Sequence, residues 1–167
     1  MKKTTATLAA VLLCGATALQ AQSWKPLEQK ALQDEAYARH DCVNLLDSTS
    51  VIVQPTGQGS FAVCRAVKVQ TPAGALRQRV LKYDYDPLTA AARFRRVTIH
   101  HADGTKTEVD VTKTQDYAAP ARAIYWGARQ IMIELGQLKP GDVIDYEIDK
   151  KGFTYALLAD TPQEGDD

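Results

Sequence analysis

The amino-acid sequence predicts an all-β fold, an antiparallel β-sandwich with one N-terminal amphipathic helix, and three observations predict it. From Val43 onward, apolar side chains recur at every second position in one short segment after another, the period of a strand that buries one face. Turn chemistry separates those segments, as at Gly57 and Gly59, Thr71 to Gly74, and Leu138 to Gly141. A spacing of three and four residues is confined to Lys25–Arg39, where Leu27, Ala31, Leu32, Ala36 and Tyr37 form one stripe. Strands with a single apolar face must bury it against a second layer, which makes a sandwich the expected architecture.

The chain opens with Lys2 and Lys3, followed by an uncharged run from Ala6 to Leu19. This is the pattern of a secretory signal, too short to span a membrane as a helix. Cleavage is expected after Ala21, and lipidation at Cys14 is disfavoured because the large Leu13 precedes it. The expected organisation is a signal peptide over 1–21, a helix or leader over 22–41, the sandwich over 42–151, and a truncated or disordered acidic tail over 152–167. Export places the protein in the periplasm or cell envelope. The formal net charge of +0 becomes slightly negative once the two lysines leave, so nucleic acid is not an expected partner.

The first strand starts at Val43 and sets Val43, Leu45, Val51 and Val53 against Asn44, Ser48 and Ser50. A second, from Ser60 to Gln70, completes a hairpin with it. In that hairpin Cys64 lies opposite a residue near Ser50 and Cys42 opposite a position near Pro72. The thiols are then roughly 25 Å apart, well beyond the reach of a disulfide, and two free thiols are expected. After a turn at Thr71–Gly74, a third strand is expected from Leu76 to Tyr83, ending at Asp84, Asp86 and Pro87. A two-residue turn at Asp103-Gly104 would set Ile99 against Glu108. The three-residue loop Ala102-Asp103-Gly104, with Gly104 left-handed, instead pairs Val97 with Val109 and Ile99 with Thr107. The last strands are Gln130–Leu135 and Val143–Asp149, the latter alternating Ile144, Tyr146 and Ile148 with Asp145, Glu147 and Asp149.

Cys64, His100 or His101, and Asp116 occur in the chain order of a thiol hydrolase. A reactive thiolate, however, sits where a helix N-terminus or a cation lowers its pKa. Cys64 lies mid-strand between Ala62 and Ala66 and reads as a packing residue. His100 and His101 point to opposite faces of a strand and share no metal-ligand spacing. His100 is expected on the solvated face with Arg96, Lys106 and Glu108, and His101 at the end of an apolar row. Asp84 and Asp86 read as a solvated turn, without a calcium-loop pattern. No metal or other cofactor is expected. The segment Ala121–Arg129 gathers Arg122, Tyr125, Trp126 and Arg129, residue types typical of contact anchors. They form either a binding surface for protein or sugar, or a Trp wedge with Arg at its rim.

The Thr71–Gly74 turn, Tyr85-Asp86-Pro87, Asp103-Gly104-Thr105, Ile124-Tyr125-Trp126 and Leu138-Lys139-Pro140-Gly141-Asp142-Val143-Ile144 together resemble the DUF3857 family over roughly Asp41 to Lys151. The resemblance implies a β-sandwich in exported proteins of Bacteroidota-type bacteria, usually followed by a transglutaminase-like cysteine-peptidase domain that carries the activity. It implies no catalytic residues here. The expected function is a non-catalytic accessory or interaction domain whose partner is that domain or another envelope protein. The alternative is a carbohydrate-binding sandwich that stacks a glycan on Trp126 and Tyr125. Relatives continue past Gly152 and Phe153, which implies a sandwich lacking closing strands and an exposed sheet edge through which copies could associate.

Overall fold

A computed structural model describes residues 23–32, 35–119 and 127–153. The expected signal peptide therefore lies outside the described residues, as does the expected acidic tail from residue 154 on, whereas Gly152 and Phe153, placed in that tail, belong to the last strand. The helical stripe forms α1 (Lys25–Leu32) and α2 (Glu35–Ala38). Then come β1 (Cys42–Val53), β2 (Gln58–Val69), α3 (Pro72–Arg77), β3 (Val80–Tyr85), β4 (Ala90–His100), β5 (Lys106–Glu108), a 3-10 turn (Val111–Lys113), β6 (Gln115–Ala118), β7 (Arg129–Glu134) and β8 (Val143–Phe153).

The strands form two antiparallel sheets, one of five strands ordered β1-β2-β8-β4-β5 and one of three ordered β3-β7-β6. Between them lies the main core. Val63, Val67 and Val69 of β2, Phe94, Val97 and Ile99 of β4, and Ile144, Tyr146 and Ile148 of β8 meet Leu81, Ile131 and Ile133 of the smaller sheet. The alternation in β8 holds along its length, with Ile144 and Ile148 essentially sealed from solvent. Among the described residues the last strand is not an edge, because β8 sits between β2 and β4; the long edge of the sheet is β1.

A second cluster lies on the outer face of the five-stranded sheet, where Trp24 covers Val43, Leu45, Ala66 and Val143. An ion pair of 2.6 Å between Lys68 and Glu28 holds α1 over that face. The expected half-buried β1 is thus correct for one end only. Val51 and Val53 are about half exposed, at 48% and 49%, and a bulge between Asn44 and Leu46 shifts the register.

The loop of the 99–107 hairpin is Ala102-Asp103-Gly104. Ile99 pairs with Thr107, the His101 N–H donates to the Thr105 carbonyl, the Val109 N–H donates to the Val97 carbonyl, and Gly104 has φ +86°. A bulge between Phe94 and Arg96 lets both Phe94 and Val97 face the core, because the extra residue reverses the alternation. Cys42 pairs with Val69 and Cys64 with Ser48. Five residues of β2 therefore separate their positions, about 16 Å, and both thiols are free.

The strand expected from Leu76 is a correction. Residues 72–77 are helical, and the strand begins at Val80. Thr71 caps that helix, accepting from the Gly74 N–H at 3.1 Å, and Pro72 occupies its first turn. A proline is tolerated there because that N–H has no helical partner. The Thr71 hydroxyl also donates to Asp41 Oδ1 at 2.6 Å, tying the helix to the start of β1.

Candidate functional site

The hairpin at residues 101–105, the loop at 135–142 and α3 meet at one end of the sandwich. That end is organised by Asp142, which follows the Pro140-Gly141 turn and is buried. Its Oδ2 accepts from the Lys139 N–H at 2.8 Å, its carbonyl accepts from the Val69 N–H, and the Gly141 N–H donates to the Val69 carbonyl. Its Oδ1 stands 3.1 Å from Nδ1 of His101, whose Nε2 is 2.9 Å from the Thr107 hydroxyl. A carboxylate oxygen only accepts, so Nδ1 carries the proton of that bond and the ring orientation is fixed. Sequence reasoning placed Asp142 in a turn and did not connect it to a histidine 41 residues away; its only signal was an acidic residue straight after Pro-Gly.

Two hollows adjoin at this end and share Gln137 and Pro140. One, of about 480 Å³, is mainly apolar and lined by Pro72, Ala75, Leu76 and Leu138 with Arg79 at its rim. The other, of about 550 Å³, is polar and lined by His101, Asp103, Thr105, Lys139 and Asp142. Leu76 is 69% exposed beside the first. Thr107, whose hydroxyl meets His101, lines neither hollow.

The remaining candidates are dispersed. Cys64 lies on the outer face of the five-stranded sheet, paired across to Glu147, whereas Asp116 lies in the other sheet. Burial, reinforced by Glu147 and Asp145, raises the Cys64 thiol above its ordinary 9.0. Burial likewise raises Cys42, under α3. A raised pKa favours the protonated thiol over the thiolate at both positions. Asp116 instead accepts from the Tyr85 hydroxyl at 2.6 Å and from Arg129 Nε at 3.0 Å. Arg129 is thus tied into a rivet across β3, β7 and β6. Arg122, Tyr125 and Trp126 lie outside the described residues.

His100 does share the outer face with Arg96, Lys106 and Glu108, but it is not solvated. Its side chain is only 16% exposed, with the Trp24 ring edge-on at 5.0 Å. Its Nε2 has no hydrogen bond, the nearest carboxylate being Asp145 at 3.7 Å. Burial lowers its pKa, with Asp145 opposing. Beside it, Arg96 bonds both Asp145 and Glu147 at 3.0 Å; although partial burial works against the charge, those bonds raise its pKa. Asp86 accepts from the Leu88 N–H and the Thr89 hydroxyl, as a turn residue does, while Asp84 accepts from Gln130. Among the described residues no group of three or more His, Cys, Asp or Glu could hold a metal ion, and no helix is long and apolar enough to cross a membrane.

Comparison with known proteins gives two findings. The profile of DUF3857, described as a domain of unknown function with a solved structure, matches residues 55–163. A solved structure from Parabacteroides distasonis ATCC 8503, described as a "putative protease", is similar with a TM-score of 0.54 at 14% identity, over 64% of this chain and 22% of that one. This chain therefore spans about a fifth of that protein, and at such identity the likeness is one of fold. No curated protein matches.

Proposed function

Because this chain belongs to the DUF3857 family, a family of unknown function, we propose that it is a non-catalytic, exported accessory domain that positions a transglutaminase-like cysteine-peptidase domain at the cell envelope. The observation that carries this reading is the loop end of the sandwich. A shaped, largely apolar hollow with an exposed leucine adjoins a polar one, while the imidazole and carboxylate at that end are engaged in hydrogen bonds that hold the loops together. A surface of this kind suits a protein contact, with an apolar centre and a polar rim. Export rests on Lys2, Lys3 and the uncharged run to Leu19.

Titration calorimetry with a transglutaminase-like domain from an exported DUF3857 protein tests the proposal. Binding is expected, weakened at least tenfold by Leu76→Glu, a loss of about 1.4 kcal/mol or more. Equal binding by the variant, or none by the native chain, counts against it.

A further inference from the structure

Of the sheet edges, β1 alone offers a long unpaired row of backbone groups. β5 and β6 have 3 and 4 residues and β3 has 6, whereas β1 has 12. Among the described residues β1 pairs with β2 only. Its last five residues are all exposed, including Val51, Ile52 at 58%, and Val53. Successive strand residues point to opposite faces, so Ile52 stands on one side and Val51 and Val53 on the other. A partner laid on either face would leave the opposite side wet. Only an added strand flanks both sides while pairing the free N–H and C=O groups.

Natural edges are guarded by charges, prolines or bulges. Here no charge or proline occurs from Ser48 to Gln54, and the one bulge lies in the other half, under Trp24. We propose that a second copy of this chain adds its β1 to this edge, antiparallel, about a two-fold axis near Val51, joining two five-stranded sheets into one. That register sets Val51 against Val51, Thr49 against Val53 and Ser50 against Ile52, pairs in which the strand-favouring Val, Ile and Thr predominate and no charge occurs. The nearest charge, Asp47, falls opposite Pro55 of the other copy, which leaves the two Asp47 carboxylates about 26 Å apart along the ladder. The formal net charge, +0 for the full sequence and only slightly negative without Lys2 and Lys3, puts little long-range repulsion in the way. Six or seven residues a side is well short of the roughly 20–30 of a stable interface, so the dimer is weak and concentration-dependent.

Sedimentation equilibrium of the purified protein over a wide concentration range is the test. The mass rises toward that of two chains for the native protein and stays at one chain for Thr49→Lys and Ile52→Lys, each with unchanged circular dichroism. Independently of those variants, Val51→Cys in a Cys42→Ser, Cys64→Ser background forms an oxidised dimer at high concentration. A native protein that stays at one mass throughout, lysine variants that associate as the native protein does, or a Val51→Cys protein that does not cross-link would each overturn the proposal, the first leaving the edge to a foreign extended segment.

Discussion

Nδ1 of His101 lies 3.1 Å from Oδ1 of Asp142, joining the end of β4 to the turn that starts β8. The Asp142 side chain is only 3% exposed and that of His101 26%. The pair thus works from inside the fold, pinning two loops that are also held by backbone hydrogen bonds and by the buried Leu135 and Leu138.

Replacing Asp142 with Ala removes a buried carboxylate and leaves the part-buried Lys139 N–H and imidazole without their acceptor. The cost is expected to be about 3 kcal/mol of unfolding free energy by urea titration. Thr107→Ala, at an exposed position, should cost less than about 1 kcal/mol. Comparable losses from the two would mean that the chain of bonds, rather than the buried carboxylate, holds this end.

His100 makes the fold sensitive to acid. Its pKa is lowered from the ordinary 6.5 by burial, so below that pH the unfolded chain binds a proton that the folded chain resists. Stability is fully present above about pH 6.5 and declines as the pH falls from there through the lowered pKa. The urea midpoint of the native protein should drop between pH 7 and pH 5, and that of His100→Gln should drop less. Parallel curves would remove His100 as the cause.

The thiols respond in the opposite direction. With their folded pKa raised above 9.0, the folded state keeps protons that the unfolded chain releases, and stability falls as the pH rises past about 9. A thiol reagent at pH 8 should label native Cys64 several-fold more slowly than the unfolded chain. Faster labelling in the native state would indicate an activated cysteine.

Gly74 is required by close packing. A methyl group there would run into the Asp41 carbonyl and stand 2.8 Å from Cys42 Sγ. Gly74→Ala should therefore destabilise by about 2 kcal/mol through overpacking, despite alanine's better helix propensity. Thermal denaturation checks it, and an unchanged midpoint would show that α3 is free to shift.

Much of the sandwich was legible because parity is a local signal. Ile144, Tyr146 and Ile148 declare their face, and the burial of Ile99 against Glu108 decides the hairpin loop. Parity fails where an extra residue resets it, as at Arg95, and where an apolar face has no cover, as at Val51 and Val53. It also gives no sign of what folds over from elsewhere, and His100 reads as solvated because nothing in its own strand announces Trp24. The strand placed at Leu76 went wrong because Thr71-Pro72 serves equally as a turn and as a capped helix start, and tertiary contacts with Asp41 choose the helix. At the candidate site, Asp142 and His101 could each be located, but their pairing is a product of the finished fold.

Hydrogen exchange measured with and without an added transglutaminase-like domain tests most directly the idea that the loop end is a contact surface. Protection is expected at backbone amides of residues 73–79 and 137–142, with little change along β1. Protection confined to other strands, or slower exchange nowhere despite saturating partner, would contradict it.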